Sequence, residues 1–367
     1  MRKNFIIISS HYSSLVNLRK DLIISLEDRY NLILVSDFKG MDKDEFNNIH
    51  KIQINFKKKK YSLLFDLFLI LKLSKTIKNN NADIVMSYNY KPTVYTSLLS
   101  IFFSKIKFYT IITGLGYAFA ANSFPRLLLR FISIITYIIT LQKVKKIFVQ
   151  NIEDFNYFLK LPIYNVKNKL INLNSSGINL KKYANVETHN STLSFLFASR
   201  LVKDKGIIEY IKAANLIKTK YKSIKFFISG RFDYDSPSFI SEKNFHKLNN
   251  NTCEYLGNIN NIEILSKYCS VFVLPTYREG CPNIALEMGL MSKPIITTYV
   301  PGCKNLIKNN YSGYFVIKND VIDLYNKIEK FILDEKIVKE YGNNSKKHII
   351  KNHSLKKVND CILNEIL

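Results

Sequence analysis

The chain alternates short apolar runs with stretches of helical periodicity, and about half-way along the alternation starts again. Strand, helix and strand in repeated succession are what stacked βαβ units leave in a sequence, and such units build parallel sheets. Runs at 5–9, 32–36, 84–87, 108–113, 147–149 and 170–173 read as one set of strands, with helices near 14–28, 61–78, 92–104, 124–141 and 152–160. A second set at 194–198, 226–229, 255–256, 271–274, 295–297 and 314–316 alternates with helices near 205–219, 260–268, 283–291 and 319–333. After Asp334 the tail is helical and charged, without a further strand. Two such series in 367 residues predict two doubly wound, Rossmann-like α/β domains, 1–175 and 176–350, divided in the polar stretch from Asn174 to Thr192. A last helix at 351–367 is free to pack back on the first domain. In doubly wound sheets ligands bind beyond the carboxyl ends of the strands, so the loops there are the candidate site.

The five cysteines, at 253, 269, 281, 303 and 361, are odd in number and show no CxxC spacing. That pattern suits reduced thiols in a cytoplasmic protein and argues against a disulfide framework or a zinc site. The start, Met1-Arg2-Lys3-Asn4-Phe5-Ile6-Ile7-Ile8-Ser9-Ser10, has too short an apolar run for a signal peptide and reads as a first buried strand. A formal net charge of +25 attracts an anionic partner: nucleic acid, a phosphorylated ligand or an acidic membrane face. The alternative source of the excess is compositional bias, since the chain is rich in Lys, Asn and Ile, as an AT-rich genome gives with no functional pressure. Nucleic-acid binding would interleave aromatic and basic residues on one surface, whereas the aromatics here fall mainly in apolar runs. No acid occurs between Asp83 and Glu153, a window that holds Lys91, Lys105, Lys107, Arg126, Arg130, Lys143, Lys145 and Lys146. A run from Lys57 to Lys60 precedes another apolar helix. Basic residues beside apolar helices suit docking on anionic lipid. Residues 127–141 are apolar on most sides but too few to span a bilayer, and most of the segment is expected to be a buried core helix.

The densest chemical signal is Leu274-Pro275-Thr276-Tyr277-Arg278-Glu279-Gly280-Cys281-Pro282-Asn283-Ile284-Ala285-Leu286-Glu287. A buried strand ends, a short loop follows, and a helix opens near Pro282, whose missing N–H is no loss in a first turn. Gly280 lets backbone approach a ligand closely, and the helix N-terminus offers free N–H groups to a phosphate. Glu279 precedes this helix and Glu287 lies more than one turn inside it, so one carboxylate serves the loop and the other a group along the helix. Carboxylates accept hydrogen bonds from sugar diols. At the end of another strand, Arg200-Leu201-Val202-Lys203-Asp204-Lys205-Gly206 places two cations where they can hold a diphosphate and neutralise a phosphate leaving group.

Together these segments resemble the donor domain of the retaining GT-B glycosyltransferases of family 4, two Rossmann-like domains facing a central cleft. The Glu-x7-Glu spacing of Glu279 and Glu287 and the Arg-Leu-x-x-x-Lys-Gly element carry the resemblance. Pro301-Gly302-Cys303, Gly313-Tyr314 and the 174–183 junction are similar to further family segments. The resemblance covers most of residues 165–335 and extends loosely over the first half. It implies that Arg200 and Lys205 contact the donor diphosphate, Glu287 the ribose and Glu279 the donor sugar. Amides from Gly280 through Cys281 and Pro282 to Asn283 would line the sugar and phosphate site, with Gly257 and Gly230 bordering the base. The implied co-substrate is a UDP-sugar; no other cofactor and no metal is expected. In the first half, Thr113-Gly114-Leu115-Gly116-Tyr117 is similar to a loop of the subgroup that builds surface polysaccharides and lipid-linked oligosaccharides, although many relatives begin it with His. Thr113, Gly114, Gly116 and Tyr117, with His11 after the first strand, are the expected acceptor side. The implied acceptor is a lipid-linked sugar, and the expected location is the inner face of the cytoplasmic membrane, with no role for nucleic acid. The alternatives are a sugar-nucleotide epimerase on the same fold, which would need acid/base side chains the sequence does not obviously supply, and a basic nucleic-acid-binding protein.

Overall fold

The computed structural model describes residues 2–39, 45–56, 63–183 and 192–367. The chain forms two compact units, one comprising Met1–Ala118, Ser123–Asn174 and Val358–Leu367, the other Phe119–Asn122 and Ser175–Lys357. The Lys57 to Lys60 run and much of the polar stretch before Thr192 lie outside the described residues.

In the first unit the strands are β1 (Asn4–Ser9), β2 (Asn31–Ser36), β3 (His50–Gln53), β4 (Ile84–Tyr88), β5 (Lys107–Ile112), β6 (Lys146–Val149) and β7 (Leu170–Asn172). They form one parallel sheet in the order β3-β2-β1-β4-β5-β6-β7. The order reverses between β1 and β4, which makes this a doubly wound sheet with its switch point there. The helices are α1 (Tyr12–Glu27), α2 (Leu63–Asn79), α3 (Tyr90–Leu99), α4 (Phe124–Thr140), α5 (Ile152–Leu159) and the single turn α6 (Val166–Lys169). Strands buried on both faces need apolar side chains on both, and Phe5, Ile6, Ile7 and Ile8 supply them without a break. Phe5 and Ile7 pack with Leu15, Leu22 and Leu26 of α1, and with Val358 and Ile362 near the end of the chain. Ile6 and Ile8 face the other way, toward Leu69 and Leu73 of α2 and Tyr95 and Leu99 of α3.

The second unit holds β8 (Ser194–Ala198), β9 (Lys225–Ser229), β10 (Glu254–Tyr255), β11 (Val271–Leu274), β12 (Ile295–Thr298) and β13 (Gly313–Val316). They too form a parallel sheet, ordered β10-β9-β8-β11-β12-β13, with its switch point between β8 and β11. Its helices are α7 (Ile207–Lys220), α8 (Glu242–Asn249), α9 (Ile262–Ser266), α10 (Asn283–Leu290), α11 (Val321–Leu333) and α12 (Lys336–Asn352). The last helix, α13 (Leu355–Ile366), begins in this unit and ends in the first, where Glu365 pairs with Lys146 of β6 at 2.6 Å.

Three departures from the sequence reading have clear causes. Strand β3 reads His-Lys-Ile-Gln, with one apolar residue, because it lies at the sheet edge and buries little. Helix α8 is polar except for the buried Phe245 and Leu248, which packs partly against the core; it starts instead from its cap, Ser241, whose hydroxyl accepts the Asn244 amide. The expected core helix at 127–141 is not one: of α4 only Tyr137 and Thr140 are buried.

Candidate donor site and family membership

Both chemical loops of the second unit leave the sheet at its switch point. Strands β8 and β11 are neighbours, in register at Val271 with Phe195 and Phe272 with Leu196. Their carboxyl ends deliver Ser199-Arg200 and Pro275-Thr276 side by side. The two loops are then stitched by backbone: the Tyr277 amide donates to the Asp204 carbonyl at 2.9 Å, and the Thr276 hydroxyl to the same carbonyl at 3.1 Å. The Glu279 amide donates to the Pro301 carbonyl at 3.1 Å, which ties in a third loop, the one after β12.

Lys205 and Glu279, assigned separate contacts in the sequence reading, form an ion pair with each other, both largely screened from solvent. A lysine ammonium carries three donors, so one can hold Glu279 while the others face a phosphate. Arg200 pairs with Asp233 at 2.5 Å and is half exposed, so it is anchored at one end and accessible at the other. Helix α10 starts at Asn283, as the sequence suggests, and Pro282 is its cap and not a first-turn residue. The Asn283 side chain accepts a hydrogen bond from the Ser176 hydroxyl, and the Cys281 thiol lies 3.8 Å from the Ser175 hydroxyl. Burial pushes the Cys281 thiol up, so it stays protonated. Gly230 and Gly257 sit at the ends of β9 and β10, joined by the Gly230 amide donating to the Gly257 carbonyl at 2.9 Å.

Glu287 lies one turn further along α10, and the Tyr183 hydroxyl donates to it at 3.0 Å. Desolvation raises the Glu287 carboxyl above its ordinary value, and the Tyr183 hydrogen bond partly opposes that. A partly desolvated carboxylate with one remaining lone-pair side is a strong acceptor for a diol.

Several residues of this site have roles that the sequence does not assign. Tyr183 was only part of a junction. Gly302 has φ +79°, and a Cβ there would lie 2.2 Å from the Glu279 carbonyl oxygen. Only glycine allows the loop after β12 to press against the Glu279 loop. Its signal was the Pro-Gly pair after a strand. His353 is buried, with Nδ1 2.9 Å from the Ser175 hydroxyl and Nε2 2.9 Å from the Asn305 carbonyl oxygen, and burial pushes it down to about 4. It holds the Ser175–Ser176 segment under Cys281 and Asn283. Nothing local in the sequence marks it.

The residues read as the acceptor side lie in the first unit. His11 is the cap of α1, directly after β1. The Ser9 hydroxyl donates to the Asn89 side chain at 2.8 Å, joining the ends of β1 and β4 across the switch point. Asn89, at φ +77°, was not singled out from sequence. Thr113 follows β5, which ends one residue earlier than expected. Gly114 and Gly116 both have positive φ, and Tyr117 is stacked by the Arg126 guanidinium, 4.0 Å from its ring centre. Among the described residues no group of three His, Cys, Asp or Glu side chains is placed to hold a metal ion. All five cysteines are free thiols.

The model of the family described as glycosyl transferases group 1 matches residues 182–348, the stretch that carries Tyr183, Arg200, Lys205, Glu279 and Glu287 of this site. The chain is a glycosyltransferase, and these residues are its group 1 domain. It is 27% identical over 343 residues to the N,N'-diacetylbacillosaminyl-diphospho-undecaprenol alpha-1,3-N-acetylgalactosaminyltransferase of Campylobacter jejuni, an alignment covering 89% of this chain and 88% of that one. Over 46% of its length it is 30% identical to the capsular polysaccharide biosynthesis glycosyltransferase CapM of Staphylococcus aureus, of which 44% is covered. Anabaena Alr3699/HepE in complex with UDP and glucose superposes with a TM-score of 0.79 at 14% identity, covering 100% of this chain and 99% of that one. Sucrose-phosphate synthase from Thermosynechococcus elongatus gives 0.79 at 14% identity, with 99% and 98% covered. The glycosyltransferase therefore has the two-unit GT-B α/β fold expected from its two strand series.

Proposed function

We propose that this glycosyltransferase moves a hexose or N-acetylhexosamine from a UDP-sugar to a sugar on a polyprenyl diphosphate carrier, in bacterial surface-glycan assembly. The observation that carries the reading is the cluster at the second unit's switch point. There the loop after β8 carries Arg200 and Lys205 beside the loop that opens α10, with Glu279 paired to Lys205 and Glu287 one turn into the helix. A nucleoside diphosphate sugar has the matching order of groups: ribose diol, two phosphates, sugar hydroxyls. Glu287 takes the ribose, Arg200, Lys205 and the α10 amides take the diphosphate, and Glu279 takes the transferred sugar. The Campylobacter relative is named for a diphospho-undecaprenol acceptor, and the Anabaena neighbour is titled as a complex with UDP and glucose. Both names support the donor and acceptor classes of this reading.

In the reaction the bond from the anomeric carbon to the β-phosphate oxygen breaks, and a bond to the acceptor oxygen forms. The acceptor's proton passes to the departing phosphate. With no carboxylate set apart as a covalent nucleophile among the described residues, the reading is retention through an oxocarbenium-like step on one face of the sugar. The protein's part is to hold the two reactants and to stabilise charge on the leaving group. Two fixed cations serve that purpose, so transfer is expected to survive EDTA. The acceptor sits at the anionic inner face of the cytoplasmic membrane, and the enzyme works there as a peripheral protein. The test is incubation with a panel of UDP-sugars and polyprenyl-diphosphate-linked acceptors, with products read by mass. Transfer of one sugar to a lipid-linked acceptor is the expected result. Strict metal dependence, or conversion of the UDP-sugar with no acceptor present, would overturn the reading.

A further inference from the structure

Helix α4 is built inside out. Its Arg126 and Arg130 turn toward the protein, where Arg126 stacks on Tyr117 and the Arg130 Nε donates to the Ala118 carbonyl at 3.3 Å. Tyr137 of the same helix is buried against Phe158 and Tyr90. The outward stripe is Phe124, Leu127, Leu128, Phe131, Ile132 and Ile135, all exposed, Phe124 at 80% and Phe131 at 60%. The spacing is that of one helical face, so a continuous apolar ridge is turned away from the core. An ordinary surface helix of a soluble protein has the reverse arrangement.

Helix α2 repeats the feature. Leu63, Leu64, Leu67, Phe68 and Leu71 are exposed on it, Leu63 at 87%. The exposed positions that follow are Lys72, Lys75, Lys78 and the terminal Asn79. Its one acid, Asp66, is turned in toward α3, where it accepts from Tyr95 at 2.6 Å and pairs with Lys91 at 3.1 Å. Both α2 and α4 pack beside α3, and α2 and α3 cover the same face of the first sheet. The two apolar ridges therefore flank α3 on one side of the unit. Two half-buried hydroxyls of α4 are satisfied within the helix itself: Ser133 donates to the Leu129 carbonyl and Thr136 to the Ile132 carbonyl, each at 2.8 Å. That is how a helix removes its polar groups from a medium that cannot solvate them.

We propose that α2 and α4 are an in-plane anchor whose apolar ridges sink into the acyl boundary of an anionic bilayer. This rests on the membrane reading above and changes its physics. Attachment by charge alone dissolves in salt, whereas buried apolar surface holds. Helix α4 and the turn after it are long and apolar enough to cross a membrane, yet the inward arginines and Tyr137 fix one side of the helix to protein and leave the other for lipid. A second copy of this chain is the weaker fit: it would bring an equal excess of positive charge, whereas anionic headgroups neutralise Lys72, Lys75, Lys78 and Lys143.

The chain contains no tryptophan, so a single one reports its own surroundings. Phe68→Trp, Phe131→Trp and, as a control in the second unit, the exposed Phe239→Trp are mixed with phosphatidylglycerol and phosphatidylcholine vesicles carrying brominated acyl chains. The salt is about 0.5 M, where the Debye length is about 4 Å. Blue-shifted, quenched emission from positions 68 and 131 but not 239 supports the anchor. Absence of quenching at 68 and 131, or equal quenching at 239, overturns it. In parallel, the triple substitution Leu128→Gln, Phe131→Gln, Ile135→Gln is expected to lower vesicle partitioning in the same salt by about a hundredfold. Its circular dichroism and UDP affinity should match the parent's. Unchanged partitioning sinks the proposal, as does sedimentation showing a dimer that the triple variant splits. The vesicles contain no sugar donor or acceptor, so failure here leaves the transfer reading standing, and failed transfer leaves the anchor standing.

Discussion

Replacing Gly302 by alanine should damage the site through backbone alone, and the structure says by how much. At φ +79° an alanine costs about 1–2 kcal/mol from its left-handed backbone. Its Cβ would also lie 2.2 Å from the Glu279 carbonyl oxygen and 2.7 Å from that of Gly280, where ordinary contact begins at 3.4 Å. Both obstacles are backbone, so no rotamer change relieves them, and the Glu279–Gly280 loop has to move by about 1 Å. A displacement of that size near reacting groups can cost about a hundredfold in rate. Gly257→Ala is the matched control: φ is +70°, the unit is the same, and nothing lies within 4 Å of the added carbon. In stability the control should lose only the backbone cost, about 1–2 kcal/mol; Gly257 borders the expected base site, so the comparison between the two variants is one of melting alone. Gly302→Ala should lose about 3–5 kcal/mol of stability and most of its transfer rate. Thermal melting, UDP titration and turnover with a UDP-sugar read all three quantities. If the two variants melt together and Gly302→Ala transfers at the parent's rate, the loop after β12 does not brace Glu279, and the reasoning fails.

Three further outcomes follow from the same geometry. Arg200→Ala should cost several-fold or more in UDP affinity and turnover, whereas Glu279→Gln should spare UDP binding and lower the transfer rate; equal effects on UDP would refute the division of roles. Glu287→Gln should weaken UDP yet raise the melting temperature of the free protein near neutral pH, because a carboxyl held above its ordinary value stabilises the fold only when protonated, and that stability is lost as pH rises through it; a lower melting temperature with normal UDP affinity would contradict this. Burial pushes His353 down to about 4, so the unfolded chain binds a proton first as pH falls; stability should drop between its ordinary value near pH 6.5 and about pH 4, and His353→Gln should flatten that slope in a melting series.

Residues whose role depends on the local alternation of strand and turn could be read before any coordinates. Strands β8 and β11 are buried on both faces and appear as Ser-Phe-Leu-Phe-Ala and Val-Phe-Val-Leu, so the loops that leave them were placed correctly. What could not be read depends on distance in the chain. Tyr183 meets Glu287 across 104 residues and His353 meets Ser175 across 178, and neither partner has a local pattern. The error over α4 has a different origin. Hydrophobicity shows that a surface is withheld from water but not what covers it, and a helix with Leu, Ile and Phe on one face reads the same whether that face meets a core or a lipid layer.

The ten residues from Val358 to Leu367 belong to the first unit, although the whole second unit precedes them in the chain. Val358, Ile362 and Ile366 complete the apolar layer that Leu15, Leu22 and Leu26 of α1 begin. During synthesis the first sheet and α1 emerge from the ribosome long before these side chains do. One face of the first unit therefore waits, partly uncovered, for the time needed to translate some 180 further residues, about ten to forty seconds at ordinary elongation rates. A chain that ends early loses the cover on a distant core as well as a terminal helix. Truncation and rearranged chain order thus bear first on the unit that is made first.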